Sequence, residues 1–410
     1  MRFLTTVLFF ALLLAAQPAL SETTITWWQF WTDPTIKPVI SSMVEEFEQA
    51  NPEIDVELTD LTWANGHEKI AIAFASGKGP DIVELGSDWI AQFAANGQLA
   101  DITEAVVEDT AAFDGWSMAT YKDRIYGRPW ILGTRVLFMN HDLVMQTAEV
   151  TEDFLPLGWD QLGYMSKKVN ALGDDIYGWG SNTAEKHRLY KKYLSFFWSA
   201  GAQVYTDSGG FCIIASEPAV DALKFYKMLH DSCGYVSNQR GIEDAFLDGK
   251  IGFILSGDWL LKRIEQEKRD INFRTTLMPG QKFNEFRLTG RSFLGGEILT
   301  VNAASENKEA AIKFIDFITS PENQLRFCIA NRSANPSSRV AQQDEYFQSD
   351  PNLQTFITQI KHANHPPVDP DWVFIESELE KAVESALFEN VGPGTALLKA
   401  RDNIVNLKKE

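Results

Sequence analysis

The feature that most constrains this chain is a rhythm: short β-rich runs alternate with amphipathic helical runs from residue 24 onward. Residues 24–28 read as a strand, after which Asp33 caps a helix and Pro34 occupies its first turn. Ile36, Val39, Ile40, Met43, Val44 and Phe47 recur at helical spacing until Asn51-Pro52 stops the pattern. Ile54, Val56 and Leu58 alternate as in a strand, and a second helix covers about His67 to Ala75. Gly77-Lys78-Gly79-Pro80 then turns the chain into a strand over residues 81–85. This β-α-β-α-β order belongs to a wound sheet. It recurs where Ser216 and Pro218 open a helix that buries Val220, Leu223, Tyr226 and Leu229, followed by a strand over residues 251–255. A helix over Lys308–Ile318 runs into Ser320-Pro321-Glu322, which ends it and caps the next. The last stripe is Ile375, Leu379, Ala382, Val383 and Ala386. Two α/β lobes are the simplest account, and 410 residues suffice for two substantial cores.

Residues 1–21 stand outside this rhythm. Arg2 precedes an apolar run to Ala16, and small residues at Ala19 and Ser21 precede Glu22, so a cleaved secretory signal peptide is expected. With no cysteine near that site to carry a lipid, a freely soluble periplasmic protein is expected. The formal charge of −19 argues against nucleic acid and anionic membrane as partners. Cys212, Cys233 and Cys328 allow at most one disulfide, match no metal spacing and leave buried free thiols as an equal alternative. No cofactor is implied.

In open α/β sheets ligands bind beyond the carboxyl ends of the strands. Four loops at such ends carry an aromatic beside a hydrogen-bonding or acidic residue: Gln29-Phe30-Trp31, Gly86-Ser87-Asp88-Trp89, Trp179-Gly180-Ser181-Asn182 and Gly257-Asp258-Trp259. Flat aromatics and carboxylates are what a sugar's C–H faces and hydroxyls require.

With those segments in place, the chain resembles the extracellular solute-binding proteins of ATP-binding-cassette importers, in the branch that includes maltose-binding and other oligosaccharide-binding proteins. The resemblance covers nearly the whole chain after residue 21. It is carried by Trp27-Trp28 with Asn51-Pro52-Glu53-Ile54-Asp55-Val56, by Gly77-Lys78-Gly79-Pro80-Asp81-Ile82-Val83, and by Tyr126-Gly127-Arg128-Pro129. Val136-Leu137-Phe138-Met139-Asn140, Phe246-Leu247-Asp248-Gly249-Lys250-Ile251-Gly252-Phe253 and Gly295-Gly296 ahead of Asn307-Lys308-Glu309-Ala310-Ala311 complete it. Met139 departs from the tyrosine usual there. The resemblance implies a two-lobed periplasmic-binding-protein fold, each lobe a wound, mainly parallel sheet flanked by helices, with a ligand cleft between. One lobe would hold residues 22–134 with 295–332 returning to it, the other 135–294 completed by 333–410. Hinge closure around ligand would present the surface that the importer's membrane permease subunits recognise. A monomer is expected.

The expected site places Trp28, Phe30 and Trp31 as stacking surface and Glu84, Ser87 and Asp88 as polar contacts on the first lobe. Trp179, Asn182, Asp258 and Trp259 face them, with Gly295, Gly296 and Glu297 at the crossing and Arg135 beside it. Each also has a structural alternative: Trp27 should point into the core opposite Trp28, Asp88 and Asp258 can cap helices, and Phe197 and Trp198 read as core. If two of Arg128, Arg135 and Arg291 face the cleft, the ligand would be an acidic sugar or a glycerol phosphate. The rival class is a secreted glycoside hydrolase using Asp88 with Asp258 or Glu84 with Glu297. Serine-hydrolase elbows, HExxH helices, phosphate loops and dinucleotide fingerprints are absent from the sequence.

Overall fold

The computed structural model describes residues 23–183, 185, 188–206, 211–281 and 290–409. The expected signal peptide lies outside the described residues. Along the chain run β1 (Thr23–Gln29), β2 (Ile54–Asp60), β3 (Ile82–Gly86), a ribbon of β4 (Thr120–Tyr121) and β5 (Arg124–Ile125), then β6 (Arg128–Thr134) and β7 (Val136–Asn140). They are followed by β8 (Tyr177–Asn182), β9 (Gly234–Ser237), β10 (Ile251–Ser256), β11 (Phe273–Thr276), β12 (Ser292–Val301), β13 (Asn335–Pro336) and β14 (Ala363–Asn364).

Two sheets result. The first has the order β13-β6-β12-β3-β1-β2 with β14 beside β12, and the second the order β11-β7-β10-β8-β9. In each, the strands joined by crossover helices are parallel: β1 with β2 and β3, and β8 with β9 and β10. The sheets are nonetheless mixed. β12 returns from the second lobe and meets β3 and β6 antiparallel, and β7 meets β10 and β11 antiparallel. The parallel rhythm therefore describes each lobe's interior, and the strands that travel between lobes reverse it.

Local chemistry explains the elements. In β1, Ile25, Trp27 and Gln29 are buried while Trp28 is half-buried on the other face, as strand alternation requires. The helix Lys37–Ala50 buries Ile40, Met43, Val44 and Phe47, and Asn51 Nδ2 closes it by donating to the Phe47 carbonyl at 2.7 Å. Asp33 caps the turn that leads into it, its carboxylate accepting from Thr35 N and Oγ1 at 2.8 Å and its carbonyl from Ile36 N and Lys37 N. β3 and β10 are buried along their whole lengths, as covered parallel strands are.

One core gathers Ile25, Trp27, Phe47, Trp130, Phe314 and Phe327, the other Trp159, Trp179, Phe196, Phe197, Tyr226 and Trp372. Each fully buried large side chain contributes about 1.5–3 kcal/mol. Met139 is fully buried in the second core. Residues 333–361 touch both lobes: β13 pairs with β6, and Phe347 and Ile357 join the first core, while Phe356 packs with Phe138 and Phe246, and Asn352 and Gln359 accept from Thr275 N and Met278 N. The second lobe is resumed by Trp372–Phe388, whose Trp372, Ile375 and Leu379 are in its core. Cys212, Cys233 and Cys328 are all free thiols, so no disulfide joins them. No described helix is long and apolar enough to cross a membrane.

Candidate functional site

The carboxyl ends of β1, β2 and β3 lie on one edge of the first sheet, since Gln29 pairs with Asp60 and β3 runs parallel to β1. That edge faces the second lobe, because Asp88 just beyond β3 reaches the helix Leu189–Ser199 there. Its Oδ2 accepts from Tyr190 Oη and Lys191 Nζ, each at 3.4 Å. Asp88 thus bridges the lobes and does more than serve a local turn.

An aromatic platform stands on the same edge. Phe30 stacks on Trp63 with centroids 4.1 Å apart and planes 17° apart, and Trp63 continues to Trp89 at 5.6 Å. His67 lies against Trp89 at 4.9 Å and its Nε2 bonds Gln92 Oε1 at 2.8 Å. Phe30 is buried, Trp89 half-buried and Trp63 49 % exposed, so Trp63 presents the open face. Gly66 must be glycine here, since a Cβ would fall 2.2 Å from the Phe30 ring. Trp31 turns inward instead, edge-on to Phe327 at 4.9 Å and Trp130 at 6.3 Å, and Trp28 packs half-buried against the first core. Trp31 thus has core rings as neighbours, and both indoles stay half-buried.

Beneath the platform, Glu84 is fully buried and its Oε2 accepts from Phe30 N at 2.9 Å. Register puts Glu297 opposite Gly86 and Leu299 opposite Glu84, so the two carboxyls are diagonal neighbours on one sheet face. Burial, then the nearby Glu297, raises Glu84 well above the carboxylate range. Burial, then Asp258, pushes Glu297 up to about 8. Ser87 Oγ accepts from Gly296 N at 3.2 Å, and a Cβ on Gly296 would lie 2.6 Å from the Ile131 carbonyl oxygen. Gly295 likewise packs beside its own Phe293 ring. Ser87 therefore ties the end of β3 to β12 through Gly296.

Across the cleft, Trp259 is half-buried, and its Nε1 donates to Glu243 Oε1 at 2.6 Å. Gly257 lets the ring lie flat, since a Cβ there would be 2.0 Å from it. The Arg135 guanidinium sits 4.5 Å from the Trp259 centroid and 5.8 Å from that of Phe293. Burial, offset in part by Asp258, lowers Arg135 to about 10. Asp258 is itself buried, accepts from Asn335 Nδ2 at 2.7 Å, and is raised to about 6 chiefly by burial.

Two expected contacts on this side are not brought to the cleft. Trp179 is 1 % exposed, edge-on to Phe196 and Tyr226 within the second core, because it lies inside β8 on the sheet face those rings cover. Asn182 is buried in a network inside the lobe, donating to Glu185 Oε2 and Gln239 Oε1 at 3.1 Å. Of the three arginines, Arg128 is paired with Asp109 and Asp316, Arg291 is exposed, and Arg135 lies against the Trp259 ring with Arg188 near enough to act on it.

Sequence reasoning missed Trp63, Tyr190 and Lys191. Trp63 follows β2 as Trp89 follows β3, so the rule that found the other loops would have found it. Tyr190 and Lys191 sit in a run that reads as a core helix, and only the docking of the lobes gives them a cleft role.

A family model described as bacterial extracellular solute-binding protein matches residues 33–325. A putative binding protein of Brucella abortus is 24 % identical over 373 residues, covering 88 % of this chain and 87 % of its own length. The maltodextrin-binding protein MdxE of Bacillus subtilis is 22 % identical over 397 residues, covering 92 % and 88 %. Among solved structures, the sugar-binding protein MalE of Xanthomonas citri superposes with a TM-score of 0.81 at 23 % identity, over 93 % of this chain and 96 % of that one.

Proposed function

From the premise that the chain belongs to the bacterial extracellular solute-binding protein family, we propose that it captures a sugar between its lobes and delivers it to the permease subunits of an ATP-binding-cassette importer in the periplasm. The observation that carries this reading is the pairing of an exposed indole platform with carboxyls and one arginine across the cleft. Trp63, with Trp89 behind it, offers a flat surface to the C–H face of a ring, and Trp259 offers a second. Asp88, Glu297 and Asp258 supply hydroxyl acceptors. Glu297, raised to about 8, also holds a proton at neutral pH and can donate. The maltodextrin- and maltotriose-binding relatives support a gluco-oligosaccharide as the first class to test.

The family is made up of binding proteins. Asp88 and Asp258, one of the two carboxyl pairs a hydrolase could use, are each tied to donors of the facing lobe. The test is a thermal-shift screen of protein stripped of ligand by unfolding and refolding, against maltose, maltotriose, other sugars, sugar acids and glycerol phosphates. At ~100 times its dissociation constant, a ligand specific for the native state adds ~2.7 kcal/mol. A selective rise with a neutral sugar is expected. A response to glycerol phosphate alone would replace the ligand class, and sugar turnover would replace the function.

A further inference from the structure

The helix Trp372–Phe388 turns two faces to two surroundings. Ile375, Leu379 and Ala382 recur at helical spacing and are buried in the second lobe's core. Val373, Phe374, Ser377 and Glu380 occupy the other side and line a groove of about 530 Å³, bounded on the first-lobe side by Gln92. That volume is within the ~300–1,000 Å³ usual for small-molecule sites. Phe374 is 36 % exposed and packs into none of the apolar cores, although it stands in the first turn of the helix between the fully buried Trp372 and Ile375.

Two contacts join the groove to the cleft. Gln92, in the helix Ile90–Ala95, lines the groove and also touches the platform: its Oε1 bonds His67 Nε2 at 2.8 Å, and His67 lies against Trp89. From the second lobe, Trp372 stands edge-on to Tyr190 at 6.2 Å, and Tyr190 Oη reaches Asp88. The groove therefore begins where the aromatic platform ends, and it repeats the platform's chemistry, an open aromatic face beside hydrogen-bonding groups. Among the described residues Gln92 Nε2 and Ser377 Oγ have no protein partner, so both are available to hydroxyls. Glu380 accepts from Arg188 N at 3.0 Å and, with the buried Glu376, gives the groove a negative lining that disfavours an anionic ligand.

We infer that this groove continues the sugar site, so that the ligand is a neutral oligosaccharide whose leading rings lie at Trp63 and whose trailing ring stacks on Phe374. The inference rests on the sugar reading above and adds to it a preference for chain length. Phe374 supplies the flat face and Gln92 and Ser377 the hydroxyl contacts.

The test is calorimetric titration of the ligand-stripped protein with glucose, maltose, maltotriose and maltotetraose. The wild type is compared with Phe374→Ala, with Ser377→Trp, which fills the groove, and with Trp63→Ala. Because Phe374 and Ser377 lie outside both cores, the first two variants should fold as the wild type does, which circular dichroism melts check. Wild-type affinity should rise with chain length beyond maltose. Phe374→Ala and Ser377→Trp should each weaken maltotetraose about tenfold and leave maltose within about twofold, whereas Trp63→Ala should weaken every length alike. A loss in Phe374→Ala that is equal at all lengths, no loss with maltotetraose, or wild-type affinity that stops rising at maltose would overturn the groove while the Trp63 dependence kept the sugar reading. Binding of no sugar of any length would overturn both.

Discussion

The two walls of the cleft use similar residues to opposite ends. On the first lobe, aromatics beyond β2 and β3 remain open, with Trp63 half-exposed above Phe30 and Trp89. On the second, Trp179 lies inside β8 (Tyr177–Asn182) and belongs wholly to the core, and Trp259 is anchored by Glu243. The polar groups differ in the same way. Asp88 reaches across to the facing lobe, whereas Asn182, Gln239 and Ser256 are absorbed into a network whose hub is Glu243. Position at a strand end makes a residue available; strand alternation and the nearest unsatisfied partner decide what it does.

Breaking the second wall should therefore cost stability. Glu243→Ala strips the acceptor from Gln239, Ser256, Trp259 and Arg263 at once, and a loss of about 3–5 kcal/mol is expected in denaturant unfolding. Trp179→Ala should cost a similar ~3–5 kcal/mol by opening a core cavity, while the molecules that remain folded keep their ligand affinity. Equal affinity loss without destabilisation would return Trp179 to the site.

On the first wall the effects should invert. Trp63→Ala should change stability by less than about 0.5 kcal/mol, as exposed substitutions do, yet weaken sugar binding on the order of tenfold in calorimetric titration, about 1.4 kcal/mol. Unchanged affinity would mean the platform is not a stacking surface.

The smallest expected effect concerns pH. Glu297 is raised to about 8 from 4.5, so the folded state holds a proton that the unfolded chain releases between those values. Its contribution is fully present below about pH 4.5 and is lost as pH rises toward about 8. The melting temperature should fall across that window, and Glu297→Gln should flatten the fall. An identical profile in the variant would place the titration elsewhere, Asp258 being the next group, raised to about 6.

Much of the fold was legible where periodicity ran long enough. The helix Lys308–Ile318 matches its apolar spacing, Ser320 caps the next helix by accepting from Asn323 N, and Trp27 and Trp28 divide as alternation requires. β13 was not legible, since a two-residue strand carries no period and its place depends on β6, its partner Leu132 lying 203 residues before Asn335. The site was half legible for the same reason. Loop chemistry pointed to Asp88, Asp258 and Trp259, but the partners that define their roles, Lys191, Asn335 and Arg135, are contributed from distant parts of the chain.

The most direct test of the account is a titration of indole-¹⁵N-labelled protein with the sugar selected by the thermal screen, following the tryptophan Nε1 resonances. Shifts concentrated at Trp63, Trp89 and Trp259, with Trp179 and Trp27 nearly still, are the predicted result. Shifts led by Trp179, or none at Trp63 under saturating ligand, would contradict the claim that a sugar lies between these two walls.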